Sequence, residues 1–235
     1  MNQTPGPAPS ALWRDPERGI LARIASEIES RGLHAARTVV LVPYAQLMGV
    51  ARAMWAQCAR PGFVPRSEST RNWARGAGGF VPAEDDIAFD RGRDLLTAQS
   101  LLARAGLGGA RAALAPRVVD IALQLAPLAA AQLPADRPAW SARARELVAT
   151  VQGSEWFGLE AAMHSIGVAW AANSAYETDV LLGGAAVAQA DALIVLSGLQ
   201  PDPLVERLAA LFGARALHID VAAGQAELGP AAARN

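Results

Sequence analysis

The sequence contains no lysine, so every one of the 21 residues in its Lys+Arg count is an arginine. Without an ε-ammonium there is no P-loop lysine to reach β- and γ-phosphates, no Schiff base, and no lysine to complete a nuclease carboxylate cluster. An alanine-rich, lysine-free composition also fits GC-rich coding, so the absence reflects the genome as well as the chemistry. Cysteine is reduced to Cys58, which excludes an internal disulfide. That lone thiol beside Arg60, with no matching histidine motif, reads as a packing residue. Charge of either sign is balanced to a net of -1, which gives no long-range attraction for nucleic acid and leaves any such binding to a local arginine patch.

No apolar run approaches the roughly 20 residues of a membrane span without a Gly, Pro or polar interruption. The N-terminal "MNQTPGPAPSALWRDPERG" lacks the basic-then-apolar layout of a signal peptide, so the expectation is a cytoplasmic protein with no membrane contact. Neither G-x-S-x-G nor G-x-G-x-x-G occurs, and His34, His164 and His218 lack metal-ligand spacing. No catalytic residue, metal or cofactor is therefore assigned.

What is present is a core-forming chain of 235 residues, 52% hydrophobic. Residues 1–14 read as a flexible leader and residues 226–235 as a flexible tail, flanking one α/β domain over 15–225. Asp15-Pro16 reads as an N-cap and first helical residue, Ile20, Leu21, Ile24 and Ile28 recur at helical spacing, and Gly32 marks the stop. The next stretch is "RTVVLVPYAQLMGVARAMW", residues 37–55. Thr38–Val42 is a β-branched strand, Pro43 ends it, and Leu47, Val50 and Met54 begin a helix. In nucleotide-binding folds such a strand, turn and helix N-terminus is where glycines and a lysine cradle phosphates. Here the turn reads Pro43-Tyr44-Ala45-Gln46, a degenerate nucleotide loop.

Residues 61–83 are rich in Pro, Gly, Ser and Thr and read as a long surface loop. Within it Arg66, Arg71 and Arg75 surround Trp73, a pattern that suits phosphate contact and base stacking. The competing reading has Trp73 anchoring the loop on the core with the arginines solvated. From about residue 84 to 178 the pattern is helical throughout. In its last helix Trp156, Leu159, Met163, Ile166 and Trp170 share one face and read as core. Alternation then returns: "DALIVLSG" is a buried strand, Asp202-Pro203 caps "PLVERLAALFG", Gly213 stops it, and "ARALHIDVA" is a second strand. Strand, helix and strand at this spacing form a βαβ unit with parallel strands. The fold class expected is α/β, a parallel P-loop/Rossmann-like sheet interrupted by a mainly helical insertion at about 84–178.

Asp86, Asp90 and Asp94 are spaced i, i+4, i+8, which on a continuous helix aligns three carboxylates for Mg²⁺ and a diphosphate. The alternative is a set of acids favouring a helix N-terminus, with Arg91 and Arg93 as partners.

Several stretches together carry a family resemblance: "ILARIASEIESRG", "TVVLVPYAQLMGVARAMW", "GFVPRSESTRNWAR", "DDIAFDRGRDLLTAQSLLARAGL" and "ADALIVLSGLQPDPLVERLAALFG". Their order and character over residues 16–222 resemble the N-terminal part of bacterial PD-(D/E)XK nuclease-family proteins of the AddB/RexB type. Those are inactivated superfamily I helicases joined to a nuclease and work in double-strand break repair and recombination. The resemblance implies a strand that runs into a proline where an active helicase begins its phosphate loop, which Val42-Pro43-Tyr44 matches. Where that family often has Gly-Leu-Asp after a later strand, this chain has Gly198-Leu199-Gln200. The family's nuclease motif lies far downstream and has no counterpart in this sequence. The function implied is a catalytically silent helicase-like domain, with DNA (a single strand or unwound end) and a helicase-nuclease partner subunit as the expected partners. A different class remains open on the residues alone, an α/β small-molecule enzyme with its ligand at the strand C-termini, near Pro43 and residues 198–202.

Overall fold

The structure, a computed structural model, describes residues 19–57, 62–151, 158–197 and 201–220. The proposed Asp15-Pro16 cap, the leader and tail, Cys58, Trp156 and Gly198-Leu199-Gln200 lie outside the described residues. Two compact units are present, one formed by residues 1–77, 181–201 and 208–235, the other by 78–180 and 202–207.

The first unit opens with helix α1 (Ile20–Ser30), whose Ile20, Leu21 and Ile24 are buried. It stops as the sequence pattern requires. Gly32 takes φ +61, Gly32 N–H donates to the Glu29 carbonyl and Leu33 N–H to that of Ile28, a glycine C-terminal cap that satisfies two otherwise orphaned carbonyls. Strand β1 (Thr38–Leu41) is buried at every position, and helix α2 (Gln46–Gln57) follows the Pro43 turn. Strand β2 (Arg66–Glu68) and helix α3 (Thr70–Ala77) come next. The reading of residues 61–83 as one long loop is thus corrected: Arg66–Glu68 pairs in parallel with Val39–Leu41, giving the polar run "RSE" a strand it does not advertise by alternation.

The second unit carries helices α4 (Arg91–Arg104), α5 (Arg111–Ala130), α6 (Arg137–Val151) and α7 (Gly158–Asn173). Short helices α8 (Asp179–Leu182) and α9 (Gly184–Ala188) lead back to strand β3 (Ala192–Ser197), helix α10 (Pro203–Phe212) and strand β4 (Ala216–Asp220). Asp202 caps α10, its Oδ1 accepting from the N–H groups of Leu204 at 3.0 Å and Val205 at 3.3 Å.

The protein is therefore α/β, with a four-stranded, all-parallel sheet of Rossmann-like type in the order β2-β1-β3-β4. Val39 sits opposite Leu193, and Leu193 opposite Ala216. Strands covered on both faces need continuous apolar sequence, which explains why "TVVL" and "ALIVLS" do not alternate. Val40, Val42, Ile194, Leu196 and Ile219 pack in one cluster with Ile20, Leu21 and Ile24 of α1 and Ala51 of α2. Arg37 fixes the opposite end of the central pair, its Nε 2.7 Å from Asp191 Oδ1 while Asp191 N–H donates to the Arg37 carbonyl at 2.8 Å.

In the helical unit, α5 packs against both α4 and α7. With its leading turn, residues Gly108–Ala130 form the one stretch among the described residues with the length and hydropathy to cross a membrane, and 39% of that window is buried inside the protein. It carries Arg111, Arg117 and Asp120, while Ala115, Val118, Val119 and Ala122 enter the core. The α5 and α7 backbones approach closely at Gly167, where a Cβ would lie 2.5 Å from Ile121 Cγ2 and 3.2 Å from Ile121 Cβ. Alanine normally favours a helix over glycine by about 1 kcal/mol. Here the β-branched neighbour cannot swing aside. Gly167→Ala is expected to be net destabilising, by about 1 to 3 kcal/mol, read as a lower midpoint in urea.

Candidate functional site

In an open parallel sheet, ligands bind outside the strand C-termini where the chain's progression reverses direction. After β1 the chain adds β2 on one side, then returns to add β3 on the other, so the reversal falls between β1 and β3. The loop leaving β1 there consists of Val42, Pro43, Tyr44 and Ala45, and it delivers Gln46 as the first residue of α2. Pro43, Tyr44, Ala45 and Gln46 are all exposed, Tyr44 at 54%.

The position matches a phosphate loop, while the chemistry differs. A phosphate cradle needs several backbone N–H groups aimed outward, glycines that let the backbone come close, and a cation. In this turn Leu47 N–H donates to the Tyr44 carbonyl at 2.9 Å and Met48 N–H to the Ala45 carbonyl at 3.1 Å. Two donors at the helix entrance are therefore satisfied within the turn itself, and Pro43 has no N–H at all. Behind the loop, Val42 N–H donates to the Glu68 carbonyl at 2.9 Å and Ser69 N–H to Met48 Sδ at 3.2 Å, which holds the β1 and β2 exits together.

The arginine and tryptophan pattern resolves into two different environments. Trp73 is on α3, only 2% exposed, with its ring 6.3 Å from that of Phe212. The expectation of an indole available for base stacking is corrected: Trp73 is a core anchor and offers no face to a ligand. Arg71 and Arg75, one helical turn apart, lie at exposed positions on the same helix. Arg66 is half-buried on β2.

A cluster that sequence spacing did not single out surrounds Glu68. Its side chain is 11% exposed; Oε1 lies 3.9 Å from Arg52 Nη2 and 3.9 Å from Arg66 Nη2, and Oε2 accepts from Asn72 Nδ2. Arg52 Nη2 also donates to the Ser67 carbonyl at 3.0 Å. These residues come from α2, β2 and α3, and only the pairing of β2 beside β1 brings them together. The signal open to a sequence reading was the isolation of Glu68 as the only acid between Thr38 and Ala77.

Of the two readings of Asp86, Asp90 and Asp94, alignment on one helical face does not occur, while Asp90 and Asp94 do stand at a helix N-terminus. The helix begins at Arg91, and Phe89 at φ 55 breaks any helical continuity between Asp86 and Asp90. Each acid instead holds backbone. Asp86 accepts from Ala83 N–H and Ala175 N–H, Asp90 caps α4 through Gly92 N–H and Arg93 N–H, and Asp94 accepts from Ala88 N–H at 2.8 Å. Among the described residues no group of three His, Cys, Asp or Glu side chains is arranged to hold a metal.

Asp94 is almost fully buried, and burial pushes its carboxyl above the ordinary value of 3.8; the Ala88 N–H opposes this, Asp90 adds to it and Arg93 counters it. The folded state thus keeps this proton to higher pH than the unfolded chain does. The stabilisation is full below about 3.8 and is lost as pH rises through the raised folded value. Asp94→Asn keeps an acceptor for Ala88 N–H and removes the titration, so its urea midpoint is expected to decline less than that of the parent as pH rises above about 4.

The histidines are separate. His34 meets Phe63 with ring centroids 4.8 Å apart, His164 Nδ1 is 2.8 Å from the Glu160 carbonyl, and His218 is exposed on β4. A cavity of about 200 Å³ is lined by α1 and β4, with Arg23, Ser26, Glu27 and His218 among its walls, and none of residues 43–46 contributes to it. It is smaller than the roughly 300 Å³ at which pockets for metabolite-sized ligands begin.

Compared with protein-family models, curated proteins and solved structures, the chain matches none.

Proposed function

We propose that this chain is a catalytically silent, helicase-like α/β domain of a DNA double-strand break repair protein of the AddB/RexB type. It supports DNA-end processing by contacting DNA or by docking a partner motor subunit, while cutting and ATP-driven movement are performed elsewhere. The observation that carries this reading is the turn after β1: it stands where a nucleotide loop stands in an α/β sheet, yet it has a proline, no glycine and no lysine, and it closes on its own carbonyls. The missing lysine adds support, because neither a P-loop nor a complete PD-(D/E)XK constellation can be assembled from this sequence.

The test is ATP turnover by the purified protein, with and without single-stranded DNA, alongside a thermal-shift series with ATP and Mg²⁺. No hydrolysis and no nucleotide-dependent rise in Tm are expected. Turnover at the rate of a working helicase would overturn the reading. A second reading, an α/β small-molecule enzyme with its ligand at the strand C-termini, draws on the exposed turn after β1, and a reproducible Tm rise with one defined metabolite would favour it.

A further inference from the structure

The order β2-β1-β3-β4 leaves β2 and β4 as the edges of the sheet, and the two are built differently. β2 is three residues long with a charge at each end, Arg66 and Glu68, the kind of short, charged edge that resists further pairing. β4, "ALHID", is five residues long with neither proline nor arginine, and among the described residues no strand pairs with its outer side. Such an edge presents a row of unpaired N–H and C=O groups.

Beside this edge runs the cavity of about 200 Å³, a groove formed by Ala22, Arg23, Ser26 and Glu27 of α1 with Leu217, His218 and Ile219 of β4. Leu217 and Ile219 pack with Ile20, Leu21 and Ile24 on the α1 face of the sheet. Alternation sends the His218 imidazole to the other face, so His218 meets the groove through its main chain. The α1 rim carries two unmatched charges. Arg23 and Glu27 are one helical turn apart and not bonded to each other: the Arg23 guanidinium has no partner among the described residues, and Glu27 gives only Oε2, at 3.0 Å, to Arg31 Nε. With a net charge of -1, two copies of the chain repel one another little at long range.

We infer that this edge and its groove form the contact between two copies of the chain, joined through antiparallel β4 strands about a two-fold axis that passes through His218 normal to the sheet. A two-fold interface must be self-complementary, residue i meeting j while j meets i. In this register Leu217 falls opposite Ile219 of the second copy, which doubles the apolar pair on the α1 face, and Asp220 falls opposite the small Ala216, so the two carboxylates do not meet. The α1 residues on the groove straddle the same axis. The helix and its copy therefore run antiparallel, with Arg23 facing Glu27 of the second copy in both directions. The unmatched cation and the open carboxylate oxygen answer each other twice, and two four-stranded sheets become one. This contact goes beyond the proposed function, since it requires neither DNA nor a motor subunit.

The experiment is sedimentation velocity over a concentration series for the parent, Arg23→Glu, Glu27→Arg, the double exchange Arg23→Glu/Glu27→Arg, and His218→Asp, with circular dichroism and Tm confirming that each is folded. The parent should show a monomer–dimer equilibrium. Each single exchange places like charges together twice and should weaken the dimer by at least about tenfold, and the double exchange should restore it. His218→Asp sets two carboxylates directly opposite one another at the axis and should weaken the dimer as well. A parent that stays monomeric at every concentration would overturn the inference and leave the edge to a different protein or to another segment of this chain. A dimer indifferent to the single exchanges, or not restored by the double one, would overturn the Arg23–Glu27 contact and place the interface elsewhere. A dimer that follows the exchanges but tolerates His218→Asp would overturn the pairing of the β4 strands. ATP turnover, measured separately, bears on the silent-helicase reading alone.

Discussion

Arg137→Ala is expected to lower the stability of the helical unit by about 3 to 5 kcal/mol, a cost typical of removing one partner from a buried ion pair. Arg137 is 4% exposed at the start of α6, a helix end where a cation is disfavoured by the dipole. Its side chain serves other helices. Nε donates to the Ala129 carbonyl at 3.1 Å and Nη1 to the Ser174 carbonyl at 3.0 Å, so one guanidinium satisfies carbonyls at the ends of α5 and α7. The same group forms a two-pronged pair with Asp179, with Nη1 3.0 Å from Oδ2 and Nη2 bonded to Oδ1.

The guanidinium also lies 4.8 Å from the centre of the Tyr176 ring, and the Tyr176 hydroxyl donates to the Ala171 carbonyl at 2.7 Å. Burial pushes the Tyr176 phenol above its ordinary value against the opposing charge of Arg137, which keeps it a neutral donor. Truncation would leave the Asp179 carboxylate without its cation, held only by the Tyr176 N–H, and would take the guanidinium from the Ser174 carbonyl, while the Ala129 carbonyl keeps the Gln132 N–H. Arg137→Lys restores the charge and not the fork, and is expected to recover only part of the loss. Urea unfolding followed by far-ultraviolet circular dichroism checks both variants. A midpoint within experimental error of the parent for Arg137→Ala would show that the clamp contributes nothing.

Trp73→Ala should cost about 3 to 5 kcal/mol in the sheet unit, the range for emptying a large aromatic site in a core. Trp73 is 2% exposed, and its ring meets that of Phe212 at 52° and 6.3 Å, an arrangement favourable to aromatic pairs. Trp73→Phe retains a ring at the site and is expected to lose less. The contrast with a ligand-stacking role is direct: an exposed stacking residue would lose nucleic-acid affinity on truncation with Tm nearly unchanged. Thermal unfolding and oligonucleotide binding measured on the same Trp73→Ala sample separate the two. A large fall in binding at constant Tm would contradict the burial of this indole.

These two residues show where sequence spacing stops being informative. Trp73 stands among arginines in a polar stretch, and nothing local says that "RSE" pairs with β1 and turns the following helix inward. The strand is three residues long, a length at which alternation carries no information. Arg137 left a faint signal, a cation at a helix start, but its partners are eight, 37 and 42 residues away along the chain. The spacing of Asp86, Asp90 and Asp94 left two readings open for a related reason: it is helical, whereas Asp90 is the N-cap and the helix exists only beyond it.

The sequence by itself determined the elements whose signals are local. These are the stop of α1 at Gly32, the end of β1 before Pro43, the lack of any lysine to complete a nucleotide loop, and the βαβ unit opened by the Asp202 cap. Each follows from backbone sterics, capping or composition, which act over a few residues. The tertiary structure alone decided that β1 and β3 are neighbours across a helical insertion, that Trp73 is core, and that Arg52 and Arg66 meet at Glu68. Those outcomes depend on strand pairing and helix packing between distant segments, whose energies come from surfaces that exist only once the chain has folded.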